Sequence, residues 1–293
     1  MNSYDTVVIC AELTELAPLV NRSWLQECLA HLSDACYSPS DPEKILPAPL
    51  KDLSGLRFYP MDLPEYPREV LAVQSGVGIV NAARTATVAI EVLGAKQIIY
   101  SGTAGGLAAD SQVGEVIFGD TYVLHNVNAT AFGYPPGQLP GMPSSYPANE
   151  KLVSAARSLL RPATDAEVVN AGSRERTRLN LTSWEAAGHK EEKKLPMEAL
   201  GGILARCGTI ATGDSFITDA NVNEVRHAFP AALAAEMESA AAAQVAYLYG
   251  IPFLAVRCIS DLCSPAGQEV YHGNAAVCGA VAAAATACLL HTL

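Results

Sequence analysis

The apolar segments of this chain do not alternate with polar residues. Residues 6–11, 70–74, 97–101, 207–212 and 251–256 are short strand-like runs, and 113–123 is a longer one. Stretches of helical composition stand between most of them. A strand with one wet face alternates, whereas a strand buried on both faces does not. Runs of this kind, interleaved with helices, specify an α/β fold with a mostly parallel buried sheet. A chain of 293 residues, half of them hydrophobic and 17% charged, fits one large domain or two smaller ones.

One unit within this pattern carries unusual charge. Residues 235–261 read AEMESAAAAQVAYLYGIPFLAVRCISD, with carboxylates at both ends and almost nothing charged between. The alanine-rich segment 239–249 is strong helix material, Gly250 is a natural stop, and Pro252 follows. A strand over 251–256 then ends near Arg257 and Asp261. Ligands in open α/β sheets collect at the carboxyl ends of strands, so this unit can bring a helix-start Glu and a strand-end Asp to one cleft. Taken alone, Glu236 and Glu238 could equally serve only to favour a helix N-terminus. Glu15 stands where the first strand hands over to a helix predicted to reach about His31. Two glycine-rich stretches, Ser75-Gly76-Val77-Gly78 and 102–107, read as turns that bring backbone close to a ligand.

Other features limit what the chain does. The net charge is −11 and no Lys/Arg cluster is present, which argues against nucleic acid as a partner. The tract 275–290 is mostly alanine and reads as a buried helix rather than a membrane span. No secretory leader is recognisable at the N-terminus. The eight cysteines form no CxxC pair and read as free thiols in a reducing cytoplasm, without metal or cofactor. Residues 32–60 are read as an excursion off the core. Residues 161–202 are polar and are read as a solvated insertion. The loop at 128–143 is rich in Gly and Pro yet holds Phe132, Tyr134, Leu139, Pro140 and Met142, as a lid or an interface would.

Five blocks occur in order: GTAGGL at 102–107, TAFGYPPGQLPG at 130–141, ATGDSFI at 211–217, EMES at 236–239 and VRCISD at 256–261. Together they closely resemble the 5′-methylthioadenosine/S-adenosylhomocysteine nucleosidases of the nucleoside phosphorylase superfamily. The resemblance implies one three-layer α/β/α domain over 1–293, built on a mixed, mostly parallel twisted sheet, with insertions near 32–63 and 161–202. It departs from the family pattern at Ile79, where Lys is common. It further implies a cofactor-free hydrolase acting on an adenine nucleoside, and a cytoplasmic homodimer with shared sites.

Residue roles carry over on the same blocks. Glu15, rather than Glu12, takes the place of the carboxylate that activates water. Asp261, supported by Ser260, matches the acid at purine N7, and Arg257 and Thr103 match groups that order the water site. Glu238 and Met237 match the ribose contacts, and Phe216 and Ile217 the base contacts. Ala104 and Gly105 fall in the substrate-binding set, and Phe132, Tyr134 and Pro140 match the segment lent to a partner's 5′ pocket. Two other readings remain open at this point. One is a phosphorylase, with Arg84 and Arg257 available for phosphate. The other is a nucleoside-binding protein without catalysis.

Overall fold

The computed structural model describes residues 4–32, 41–62, 69–162, 177–179, 202–265 and 267–293. Residues 33–40 and 63 of the first predicted insertion, and 163–176 and 180–201 of the second, lie outside the described residues.

In chain order, β1 (Thr6–Cys10) is followed by α1 (Leu13–Val20) and α2 (Arg22–Ala30). The single helix expected there is broken at Asn21, whose side chain accepts from the Trp24 amide and caps α2. Next come β2 (Lys51–Leu53), β3 (Leu56–Pro60), β4 (Val70–Gln74), α3 (Ile79–Glu91), β5 (Gln97–Gly106), β6 (Val116–Leu124) and β7 (Tyr146–Pro147). Then follow α4 (Glu150–Ser158), β8 (Leu160–Pro162), β9 (Thr177–Leu179), β10 (Leu204–Thr212), α5 (Val222–Ala228), β11 (Ala232–Glu236), α6 (Ser239–Tyr249), β12 (Phe253–Asp261) and α7 (Gly267–His291).

The strands form one mixed sheet, ordered β2-β3-β4-β1-β5-β12-β6-β10-β9-β8. Its centre is parallel, with β4, β1, β5 and β12 in one direction. The pairs at its two edges are antiparallel. β11 pairs with both β10 and β5, which closes β5-β12-β6-β10-β11 into a ring. Because β11 runs antiparallel to β5, their carboxyl ends overlap, with Ala235 opposite Gly105. Helices α1, α2 and α7 pack together on one side and α3 against α6 on the other, giving three layers.

Three expectations need correction. Residues 56–60 are part of the core, because Leu56, Phe58 and Tyr59 are buried and β3 pairs with β4. Residues 177–179, expected within a solvated insertion, form β9 beside β10. The glycine-rich block 102–107 is no turn, since β5 runs on through Gly106. Its glycine serves side-chain packing: a Cβ on Gly102 would lie 2.6 Å from both the Glu15 carboxylate and the Arg257 guanidinium.

The α6-β12 unit forms where the pattern placed it. Helix α6 spans Ser239–Tyr249 and ends on Gly250 at φ 67°, a conformation that favours glycine. The strand after it is longer than expected, so Arg257 lies in its middle and Asp261 at its end. Helix α7 runs over 25 residues and is the one described helix long and apolar enough to cross a membrane. It is packed inside the protein, with 89% of its most apolar window buried.

Candidate active site

A cavity of about 220 Å³ opens where β1, β5, β11 and β12 bring their carboxyl ends together. It is smaller than the roughly 300–1,000 Å³ of sites for drug-sized ligands. Glu15, Thr103, Ala104, Gly105, Phe216, Ile217, Met237, Glu238, Arg257, Ser260 and Asp261 all line it.

Glu15 projects from the first turn of α1 and is 3% exposed. Four donors converge on its carboxylate. The amides of Ala11 and Glu12 reach Oε2 at 3.0 and 3.2 Å, and the Thr103 amide and hydroxyl reach Oε1 at 2.7 and 2.9 Å. Burial raises the Glu15 carboxyl above its ordinary value, while the charge of Arg257 and the Thr103 amide draw it back. The outcome is a carboxylate held in one orientation and more basic than a solvated one.

Arg257 lies over the Tyr100 ring, 4.7 Å from its centroid, and is 1% exposed. Its Nη2 donates to Glu236 in a short ion pair, to Glu238 Oε2 at 3.3 Å and to Ser239 Oγ at 3.0 Å, and its Nη1 donates to the Thr103 carbonyl at 3.3 Å. Burial opposes its charge, but Glu236, Glu238 and Glu15 outweigh that effect and hold the guanidinium above its ordinary value. Glu236 also accepts the amides of Glu238 and Ser239 and the Thr212 hydroxyl, so it caps the start of α6. Glu238 receives the Gly78 amide at 2.9 Å and turns into the cavity. Burial, and then the neighbouring Glu236 charge, push the Glu238 carboxyl upward.

Asp261 lines the cavity from the end of β12. The Cys263 amide donates to Oδ1 at 2.9 Å and the Ser260 hydroxyl to Oδ2 at 3.1 Å. Burial raises its carboxyl above the ordinary Asp value, although both hydrogen bonds favour the charged form. Phe216 and Ile217 line the cavity from the loop after β10.

Phe132, Tyr134 and Pro140 are absent from the cavity wall of the single chain. Phe132 stands 81% exposed. Arg84 is also off the wall, and its guanidinium donates to the Ser54 carbonyl. Arg257 is therefore the one arginine among the described lining residues, and it is already engaged by two glutamates. Sequence reasoning overlooked Glu12, Glu236 and Tyr271 as wall residues. A signal existed for Glu236, in the carboxylate two residues before a helix start. Tyr271 comes from the first turns of α7, ten residues past Asp261, and nothing local marks it. Among the described residues no three His, Cys, Asp or Glu side chains are arranged to hold a metal ion.

Residues 65–293 match the phosphorylase superfamily. The chain is 36% identical over 219 residues to the 5′-methylthioadenosine/S-adenosylhomocysteine nucleosidase of Oceanobacillus iheyensis, covering 74% of this chain and 77% of that one. It is 36% identical over 203 residues to the enzyme of the same name from Marinomonas, covering 69% and 71%. The Colwellia psychrerythraea nucleosidase, solved with adenine, superposes with a TM-score of 0.70 at 25% identity, over 100% of this chain and 96% of that one. The Neisseria meningitidis enzyme, solved with methylthio-immucillin-A, gives 0.69 at 25% identity over 99% and 100%. With this extent of match, the chain belongs to the 5′-methylthioadenosine/S-adenosylhomocysteine nucleosidase family of the phosphorylase superfamily.

Proposed function

We infer that the protein hydrolyses the N-glycosidic bond of 5′-methylthioadenosine, S-adenosylhomocysteine or a related 5′-substituted adenosine, releasing adenine and the free ribose sugar. The observation that carries this reading is Glu15, an enclosed carboxylate fed by four donors, in a wall whose arginine is already paired. Such a floor repels phosphate and suits water.

The chemistry then follows from the charges. As C1′–N9 breaks, its electron pair passes to the purine, and the Asp261 carboxyl gives its proton to N7. Positive charge grows on the ribose, where Glu238 binds the hydroxyls and the surrounding carboxylates stabilise the cation. Met237 packs on the sugar. Water held by Glu15 adds its oxygen to C1′ and Glu15 takes the proton, while the Thr103 hydroxyl steadies the Glu15 carboxylate. Arg257 keeps Glu236 and Glu238 in place. Burial raises the Asp261 carboxyl above the ordinary Asp value, which favours the protonated form that the transfer needs. Assaying adenine release with and without phosphate tests the reading. Equal rates and a free sugar are expected, and ribose 1-phosphate as product would overturn it.

The active form on this reading is a homodimer in a reducing cytoplasm. The loop at 128–143 is ordered by its own hydrogen bonds, Thr130 to Asn128 at 2.7 Å and Gln138 to the Met142 carbonyl at 2.7 Å. It nonetheless presents Phe132 to the outside. In a two-fold pair that loop covers the partner's cavity and supplies a dry wall for the 5′ group.

A further inference from the structure

The turn ahead of α3 is tied to three other parts of the molecule. Its Ser75 and Gly76 amides donate to the Cys10 and Ala11 carbonyls at 2.8 and 3.1 Å, where β1 ends. The Gly78 amide donates to Glu238 Oε1 at 2.9 Å. The next amide, that of Ile79, donates to Asp214 Oδ1, also at 2.9 Å. Two successive amides thus hold two carboxylates from different elements. Gly78 has a φ of 100°, which favours glycine, and a Cβ there would stand 3.0 Å from Asp214 Oδ1.

The two carboxylates differ in place. Glu238 is buried and lines the cavity, whereas Asp214 is exposed and does not. Asp214 instead begins the stretch whose Ser215, Phe216 and Ile217 line the wall. On its own flank that stretch is held by the Gly213 amide on the Glu236 carbonyl at 3.1 Å and by Asn221 on the Phe216 carbonyl at 3.2 Å. Asp214 ties it the other way, to the turn that holds Glu238. Its carboxylate meets a free amide in the first turn of a 13-residue helix, where the helix dipole favours negative charge. We propose that Asp214 is a positioning residue for nucleoside binding, which fixes the span between the Phe216–Ile217 wall and Glu238 by accepting the Ile79 amide. The proposal rests on the nucleosidase reading, in which Phe216 and Ile217 hold the base and Glu238 the ribose hydroxyls. Base and hydroxyls are joined at a set distance in the nucleoside, so a loosened span weakens the grip on the whole molecule. Asp214 touches no reacting atom, and the chemical step is spared.

The test removes the two ends of the bond separately. Asp214→Ala removes the acceptor. Ile79→Pro removes the donor at the first helical position, where proline is tolerated, and the extended ψ of 164° at Gly78 suits a following proline. Each should raise KM for methylthioadenosine by about 3- to 10-fold, the range for a carboxylate at a helix N-terminus, with kcat nearly unchanged. The double variant should be no worse than either single one, because both remove the same bond. Asp214→Asn keeps an acceptor and should restore most of the affinity. Inhibition by adenine, which does not reach Glu238, should weaken less than nucleoside binding. An unchanged KM in Asp214→Ala overturns the proposal, as do additive effects in the double variant or an Asn variant as impaired as Ala. Equal weakening for adenine and the nucleoside also overturns it, since the wall would then be loosened without a change of span. If Ile79→Pro fails to fold, Asp214→Ala and Asp214→Asn decide. Absence of adenine release by the wild type overturns the nucleosidase reading instead.

Discussion

The cavity and the loop at 128–143 break the ordinary rule of burial in opposite directions. The cavity encloses Glu15, Glu236, Glu238 and Asp261 at 2–8% exposure, against one arginine. The loop leaves Phe132 81% exposed. Charged side chains are almost never fully buried unless paired, whereas a single exposed apolar residue is common, so the two departures differ in weight. A third region shows buried charge held by close pairing. Arg206, 3% exposed, donates to both Asp110 oxygens at 3.2 and 3.1 Å and to Glu115 Oε2 at 3.0 Å. It fastens β10 to the segment between β5 and β6. Buried charge by itself therefore does not mark a functional site. The active-site cavity differs in setting four buried carboxylates against one arginine.

The largest expected effect falls on the cavity. Asp261→Asn keeps the Cys263 amide contact but has no proton to give N7. Turnover should drop by about 10²–10⁴-fold, the range for general acid catalysis, with substrate binding largely kept. Steady-state rates paired with calorimetric binding measure both parts. A variant within a few-fold of wild type would separate buried charge from catalysis here.

The Arg206 cluster supplies the contrast. Arg206→Leu leaves Glu115 and Asp110 without their cation, and breaking such a buried pair typically costs about 3–5 kcal/mol. Denaturant titration should show that loss, while kcat and KM of the folded fraction stay at wild-type values. A selective loss of kcat would mean that the two charge clusters are not separable.

The same contrast has a pH dependence. Burial holds the Asp261 and Glu15 carboxyls above their ordinary values of about 4. A carboxyl raised by folding favours the folded state while protonated. That contribution is complete below the ordinary value and is lost as pH rises through the folded value. Ligand-free Asp261→Asn should thus melt higher than wild type at pH 8 and show no such advantage at pH 4. The inactive variant is then the more stable one, as expected where function keeps a titratable carboxyl in a buried place. Equal melting temperatures at pH 8 would mean that Asp261 is not strained by its surroundings.

How much of this was legible in the sequence depended on whether a constraint was local. The α6-β12 unit was readable because alanine content, Gly250 and an apolar run lie side by side in the chain. Gly102 was misread as part of a turn because its function is to leave space for Glu15 and Arg257, which come from α1 and β12. Tyr271 and Glu12 meet across 259 positions, a pairing set by how α7 crosses α1. β3 was missed because prolines and charges around it outweighed the short Leu56-Arg57-Phe58 alternation.

The smallest expected effect concerns the loop, and it decides whether its exposure has a purpose. A lone exposed phenylalanine carries little weight, so the homodimer reading needs a measurement in which position matters. Phe132→Ala and Glu238→Gln each impair every site of their own homodimers if Phe132 serves catalysis at all. Co-expression of the two chains gives heterodimers with two unequal sites. If Phe132 reaches the partner, the site with an intact Glu238 receives an intact Phe132 from the other chain. The second site receives both lesions. Turnover per heterodimer should then recover to about half of wild type, and sedimentation should give twice the chain mass of 30.7 kDa. If Phe132 serves its own chain, each site carries one lesion and the heterodimer is as impaired as its parents. That result would leave the loop as surface and confine the contrast to the cavity.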